Sequence, residues 1–147
     1  MLLHGYGDGG FRVSGAGRLE GSQLLFPEKT IPWNAKSIED ISLESLSPII
    51  NEADKVDILI VGCGNEFSTI PYILREGLRQ QGIVLEWMDT GAACRTFNVL
   101  LVEERPVAAA LIARGEGGAV ATLLLAVQAH LVRLRLRLRL RLRLRLR

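Results

Sequence analysis

The chain has 147 residues, 48% of them hydrophobic and two of them cysteine, enough for one domain whose core needs neither a metal nor a disulfide framework. Its formal charge of +2 hides an asymmetry. Residues 133–147 carry eight arginines and no acid, which leaves ten Lys or Arg against sixteen Asp or Glu, a net of −6, in the rest. An acidic body excludes a domain that itself grips nucleic-acid phosphates, and two isolated thiols suit a reducing compartment.

The N-terminal third is punctuated by glycine and reads as β-structure. Phe11–Gly15 alternates, Ser22–Phe26 is a second apolar run closed by Pro27, and Ile31–Asn34 is expected to be extended because Pro32 biases its predecessor away from helix. A helix is predicted from Leu43 to Ala53, with Ser42 as its N-cap and Ile41, Leu46, Ile49, Ile50 and Ala53 near one face; Pro48 blurs its start.

The middle is clearer. Val56–Val61 is apolar enough for a central strand covered on both faces, Gly62-Cys63-Gly64 is a turn, and a helix from Thr69 to Gln81 ends at Gly82. Ile83–Met88 is the next strand, Thr90–Leu101 a short helix and Val107–Ala113 a last strand. The fold class is therefore α/β, with N-terminal β-structure followed by β-α-β-α-β.

Beyond Ala113 the character changes. Gly115–Gly118 is a break, and the apolar stretch Ala119–Val132 is interrupted by Gln128 and His130. It falls short of the roughly 20 residues of a membrane span. Leu-Arg dipeptides follow to the end. As a strand the repeat puts leucines on one face and arginines on the other; as a helix it has no coherent apolar face. The expected division is thus a compact domain over 1–113 and a low-complexity extension over 114–147. Met1–Gly5 has no basic n-region and begins no sustained apolar run, so the expected location is cytoplasmic and the protein is not expected to be integral to a membrane.

Candidate chemistry is sparse. Gly62-Cys63-Gly64 invites a dinucleotide reading, with Asp89 as the ribose-binding acid, but the third glycine is replaced by Phe67. A tight turn that lets a helix pack on the sheet accounts for it. Cys63 and Cys94 each stand near a predicted helix N-terminus, where a thiolate is favoured. A thiol enzyme needs a base, and the two histidines, His4 and His130, sit far away in sequence; small buried cysteines are the simpler reading. Neither a metal set nor a cofactor is expected. The most information-rich segment is Asp89–Asn98. There Asp89, Thr90, Gly91, Arg95, Thr96 and Asn98 combine hydroxyls, an arginine and an amide at a strand-to-helix junction, a candidate surface for a ligand or partner, with Thr90 as the expected cap.

Tyr6-Gly7-Asp8-Gly9-Gly10-Phe11-Arg12, Pro32-Trp33, Val61–Gly64, Met88–Asn98 and Val107–Ile112, in that order, resemble the family of mitochondrial respiratory complex I assembly factor three and its uncharacterised bacterial relatives. The resemblance runs from about Gly5 to Ala113. It implies a compact three-layer single domain with a mixed central sheet, no catalytic residues, and action by binding protein partners, which makes a non-enzymatic interaction or assembly factor the leading expectation. The sequence does not name the partner. Two alternatives stand beside it: a small-ligand-binding protein or enzyme using the Asp89–Asn98 junction, and a tail that binds polyanions, nucleic acid or anionic membrane, without sequence specificity. The chain departs from the family by starting almost at the first motif and by continuing past Ala113, where the Leu-Arg run resembles translation of a GC-rich repeat in an unintended frame.

Overall fold

The computed structural model describes residues 1–64, 69–114, 130, 131, 133–135, 137–143 and 145. The chain opens with a meander of β1 (Leu3–Gly7), β2 (Gly10–Val13) and β3 (Gly17–Glu20), all antiparallel neighbours. It continues through β4 (Gln23–Leu25) and β5 (Thr30–Pro32) to a short α1 (Ser47–Ile50). Then come β6 (Ile58–Gly62), α2 (Tyr72–Gln80), β7 (Val84–Met88), α3 (Thr90–Val102) and β8 (Val107–Leu111).

The larger sheet has the order β5-β4-β8-β6-β7. β6 pairs in parallel with β7 and β8, whereas β4 pairs antiparallel with β8 and β5, so the sheet is mixed as expected. The strand residues alternate between two cores. Leu24, Leu59, Val61, Leu85, Ala108 and Ala110 face Leu46, Ile49, Leu74 and Leu78 from α1, its approach and α2. Leu25, Ile60, Val107, Ala109 and Leu111 face Phe97, Cys94 and Ala93 of α3 together with Leu3, Phe11 and Val13 of the meander. All five residues of β8 are buried, which explains its unbroken apolar run: a strand covered on both sides has no polar face to show.

Several boundaries differ from expectation. The helix predicted over Leu43–Ala53 shrinks to Ser47–Ile50, with Pro48 in its first turn. Ser42 caps no helix; its hydroxyl accepts from Ser45 N–H while the Ser45 hydroxyl accepts from Ser42 N–H, a reciprocal turn that competes with helix. Leu43 is spent elsewhere, filling the space that a Cβ on Gly77 of α2 would occupy. The next helix starts at Tyr72 rather than Thr69, because Pro71 is extended and serves as its N-cap residue. Gly82, at φ +79°, follows its end as expected. β1 and β3 were not foreseen; glycines inside them mask the alternation.

Among the described residues the domain's backbone hydrogen bonds reach one residue past the expected boundary at Ala113. Gly9 N–H donates to the Arg114 carbonyl, and the Arg114 guanidinium lies 5.9 Å from the centre of the Tyr6 ring. The described residues between 130 and 145 are helical; most of the Ala119–Val132 stretch lies outside the described residues. Among the described residues no helix is long and apolar enough to cross a membrane.

Candidate functional site at the start of the third helix

β6 and β7 run in parallel, so their C-terminal ends open on the same edge, and α3 starts there. Gly62 closes β6. A Cβ at that position would stand 3.0 Å from the Thr90 Cα and 3.1 Å from the Ala93 Cβ, so the glycine lets α3 seat directly on the strand end. Gly64 follows at φ +87°, in the left-handed region that favours glycine. The packing turn accounts for both glycines.

Thr90 is the hub of the junction. Fully buried, its hydroxyl donates to the Ile112 carbonyl at 2.8 Å and accepts from the Gly64 N–H at 3.0 Å, while its own N–H donates to the Gly64 carbonyl at 3.1 Å. One side chain thereby joins the ends of β6, β8 and α3. Thr90 is not the cap. That position is Asp89, whose carboxylate accepts from Ala92 N–H at 2.9 Å. The longer acid outside the helix reaches the orphan donor, and Thr90 turns inward. Of the turn's other donors, Cys63 N–H serves the Met88 carbonyl. Cys63 and Gly64 therefore offer no spare amides for a pyrophosphate. Phe67 lies outside the described residues.

Gly91 is pressed against Tyr6: a Cβ there would approach the Tyr6 hydroxyl to 2.6 Å. Thr96 is half-buried, its hydroxyl 3.4 Å from the Met88 sulfur. Asn98 is fully buried and exchanges two hydrogen bonds with the Leu3 backbone. Asp89 and Arg95 are exposed, and Arg95 forms no ion pair with the described residues. The six candidate positions thus divide. Thr90, Gly91 and Asn98 hold the junction together from beneath, while Asp89, Arg95 and part of Thr96 face solvent.

The thiols follow the simpler reading of small buried cysteines rather than that of helix-start thiolates. Both are buried. Burial pushes the Cys94 thiol far up, and the nearby Arg95 and Arg114 charges offset this only in part. Burial raises Cys63 as well. The Trp87 indole N–H, buried without a well-formed hydrogen bond, lies close enough to that sulfur to favour its ionised form slightly. In the interior, desolvation outweighs the helix field. Among the described residues no group of three or more His, Cys, Asp or Glu could hold a metal ion. Tyr6 and Arg114 were missed as neighbours of the junction; the signal for Tyr6 was the unusual glycine one residue into α3.

The chain is similar to NADH dehydrogenase [ubiquinone] 1 alpha subcomplex assembly factor 3 of Xenopus tropicalis, at 37% identity over 112 residues, 76% of this chain and 61% of that protein. It is similar also to an uncharacterised protein of Rhodobacter capsulatus, at 36% identity over 76% of this chain and 84% of the relative. Among solved structures it resembles a protein described as an outer membrane protein from Bartonella henselae, with a TM-score of 0.71 and 37% identity over 76% of this chain and 93% of the other. The chain spans about 60% of the length of the assembly-factor relatives. The family described as protein of unknown function DUF498/DUF598 matches residues 3–112, and the chain belongs to it.

Proposed function

We propose that the protein is a non-catalytic interaction factor that assists assembly of a respiratory NADH dehydrogenase, working in the cytoplasm through the surface at the start of α3. The observation that carries this reading is the similarity of 76% of the chain to proteins named as assembly factors of that enzyme. The chemistry of the junction supports it. The buried Thr90 and Asn98 side chains are spent on backbone groups, and the thiols are desolvated. What the junction leaves on the surface is Asp89, Arg95 and the edge of Thr96, a small charged patch suited to a protein contact. Arg95 sits in the first turns of α3, where the helix dipole disfavours a cation. The described residues give it no ion pair, and an acid on the partner is the counter-charge this reading assigns to it. Residues 1–114 form the folding unit, and the extension adds a non-specific affinity for polyanions.

The test is capture of partners from respiring cells with the tagged full chain, followed by identification of the bound subunits. Subunits of the NADH dehydrogenase should be recovered with the wild-type chain and lost with Arg95→Ala. The same variant should unfold within about 0.5 kcal/mol of the wild type, as surface substitutions do. Recovery of the same subunits by Arg95→Ala removes this surface from the reading. Absence of any respiratory subunit from the wild-type capture removes the reading itself.

A further inference from the structure

The helical residues between 130 and 145 turn one side to the body. Arg139, Leu140 and Arg143 line a groove of about 340 Å³ together with residues at the end of α3, among them Val102 and Glu103. Arg139 Nη1 lies 3.9 Å from Glu103 Oε1. Arg133 comes close enough to His4 of β1 to add to the burial that lowers its imidazole pKa.

The opposite side is different in kind. At about 100° per residue, Leu131, Leu134, Leu138 and Leu142 fall within an arc of roughly 80°, and Leu140 stands about 160° from its centre. Wound into a helix, the Leu-Arg alternation advances each leucine by about 200°, so that alternate leucines fall on opposite sides. Leu134, Leu138 and Leu142 join Leu131 in a stripe on the side opposite the groove. All four are exposed, as is Leu140 at 48%, so it is the position on the helix, opposite the groove, that sets the stripe apart. On the same wheel Arg135 and Arg141 border the stripe and Arg145 falls within it, each on a stem long enough to bring its charge to a neighbouring surface.

We propose that this face docks the protein on an anionic lipid bilayer. The leucines enter the boundary between headgroups and acyl chains, and the flanking arginines meet the lipid phosphates. An apolar stripe and a polybasic border are the two signals that together make interfacial attachment stable. A polynucleotide uses only the arginines and leaves four leucines in water, so the geometry favours lipid. The body, at −6, is repelled by the same surface, which confines contact to the tail. This inference rests on the polyanion-binding reading of the tail and narrows it to one chemistry.

The experiment uses the full chain with vesicles of phosphatidylcholine alone, vesicles containing phosphatidylglycerol, and poly(U). The expected result is cosedimentation with the anionic vesicles and not with the neutral ones. Replacing Leu131, Leu134, Leu138 and Leu142 together by serine should weaken vesicle binding by about tenfold or more, leave poly(U) binding unchanged, and leave the thermal unfolding of the domain unchanged. Leu140→Ser alone should bind vesicles like the wild type. Equal vesicle binding by the four-serine chain overturns the proposal and leaves simple charge attraction. Binding to poly(U) without binding to vesicles overturns the lipid assignment while keeping the polyanion reading, and binding to neither overturns both.

Discussion

The Asn98 carboxamide donates to the Leu3 carbonyl and accepts from the Leu3 N–H, each at 2.8 Å, across 95 residues of sequence. A side chain of α3 thus acts as a strand partner for β1 and ties the meander to the main sheet's helix. Asn98→Ala leaves both Leu3 groups buried without partners and should cost about 2–4 kcal/mol in urea unfolding. Asn98→Asp should rescue little, because a carboxylate cannot donate to the Leu3 carbonyl. A loss below about 1 kcal/mol for the alanine variant would show that water replaces the clamp.

Asp89 and Thr90 are adjacent but should respond differently. Asp89→Ala removes one exposed cap and should cost about 1 kcal/mol. Thr90→Val keeps the shape but strands the Gly64 N–H and the Ile112 carbonyl, so about 2 kcal/mol or more is expected. Equal losses, or the reverse order, would contradict the placement of the cap at Asp89.

Nucleotides provide a direct check on the Gly62–Gly64 turn. With its amides engaged by Thr90 and Met88, NAD, NADP and ATP at millimolar concentration should leave the melting temperature unchanged. Saturable stabilisation by any of them revives the ligand-binding alternative.

Alkaline pH should expose the buried thiol. Cys94 has its pKa raised above the ordinary value of 9.0 by burial, so the folded chain keeps a proton that the unfolded chain releases. The stability this group contributes is complete below about pH 9 and declines as pH rises beyond it, by up to about 1.4 kcal/mol per pH unit. Unfolding measured from pH 7 to 10 should show a smaller decline in Cys94→Ala than in the wild type. Identical slopes would mean that the thiol ionises in place.

The strands β6 and β8 were legible because burial on both faces leaves apolar runs, while the edge strand β7 and the helix α3 were legible from their periodic apolar positions. The start of α1 was not legible. Leu43 fits a helical face in sequence, yet its partner is Gly77 of another element, and the paired hydroxyls of Ser42 and Ser45 favour a turn that composition alone does not distinguish from a cap. At the candidate site, the sequence placed the six residues at one junction but did not give their direction. An asparagine within an amphipathic helix has the same chemistry whether it faces water or a distant strand, and only the path of β1 decides that Asn98 is buried. The identity of the cap was missed for a similar reason, since Asp89 and Thr90 are both good caps and the Gly64 turn claims the second.

The position of β8 has a consequence for how the chain is made. Among the described residues it is the last strand to be synthesised, yet it lies between β4 and β6 and pairs with both. Until it emerges, the hairpin of β4 and β5 has no strand pairing with β6 and β7, and the meander has no finished sheet to close on. The nascent protein therefore waits as separate pieces with exposed strand edges, and closure is a late, long-range event rather than a progressive one. A ribosome that stops even a few residues short of Leu111 releases an open chain prone to aggregation.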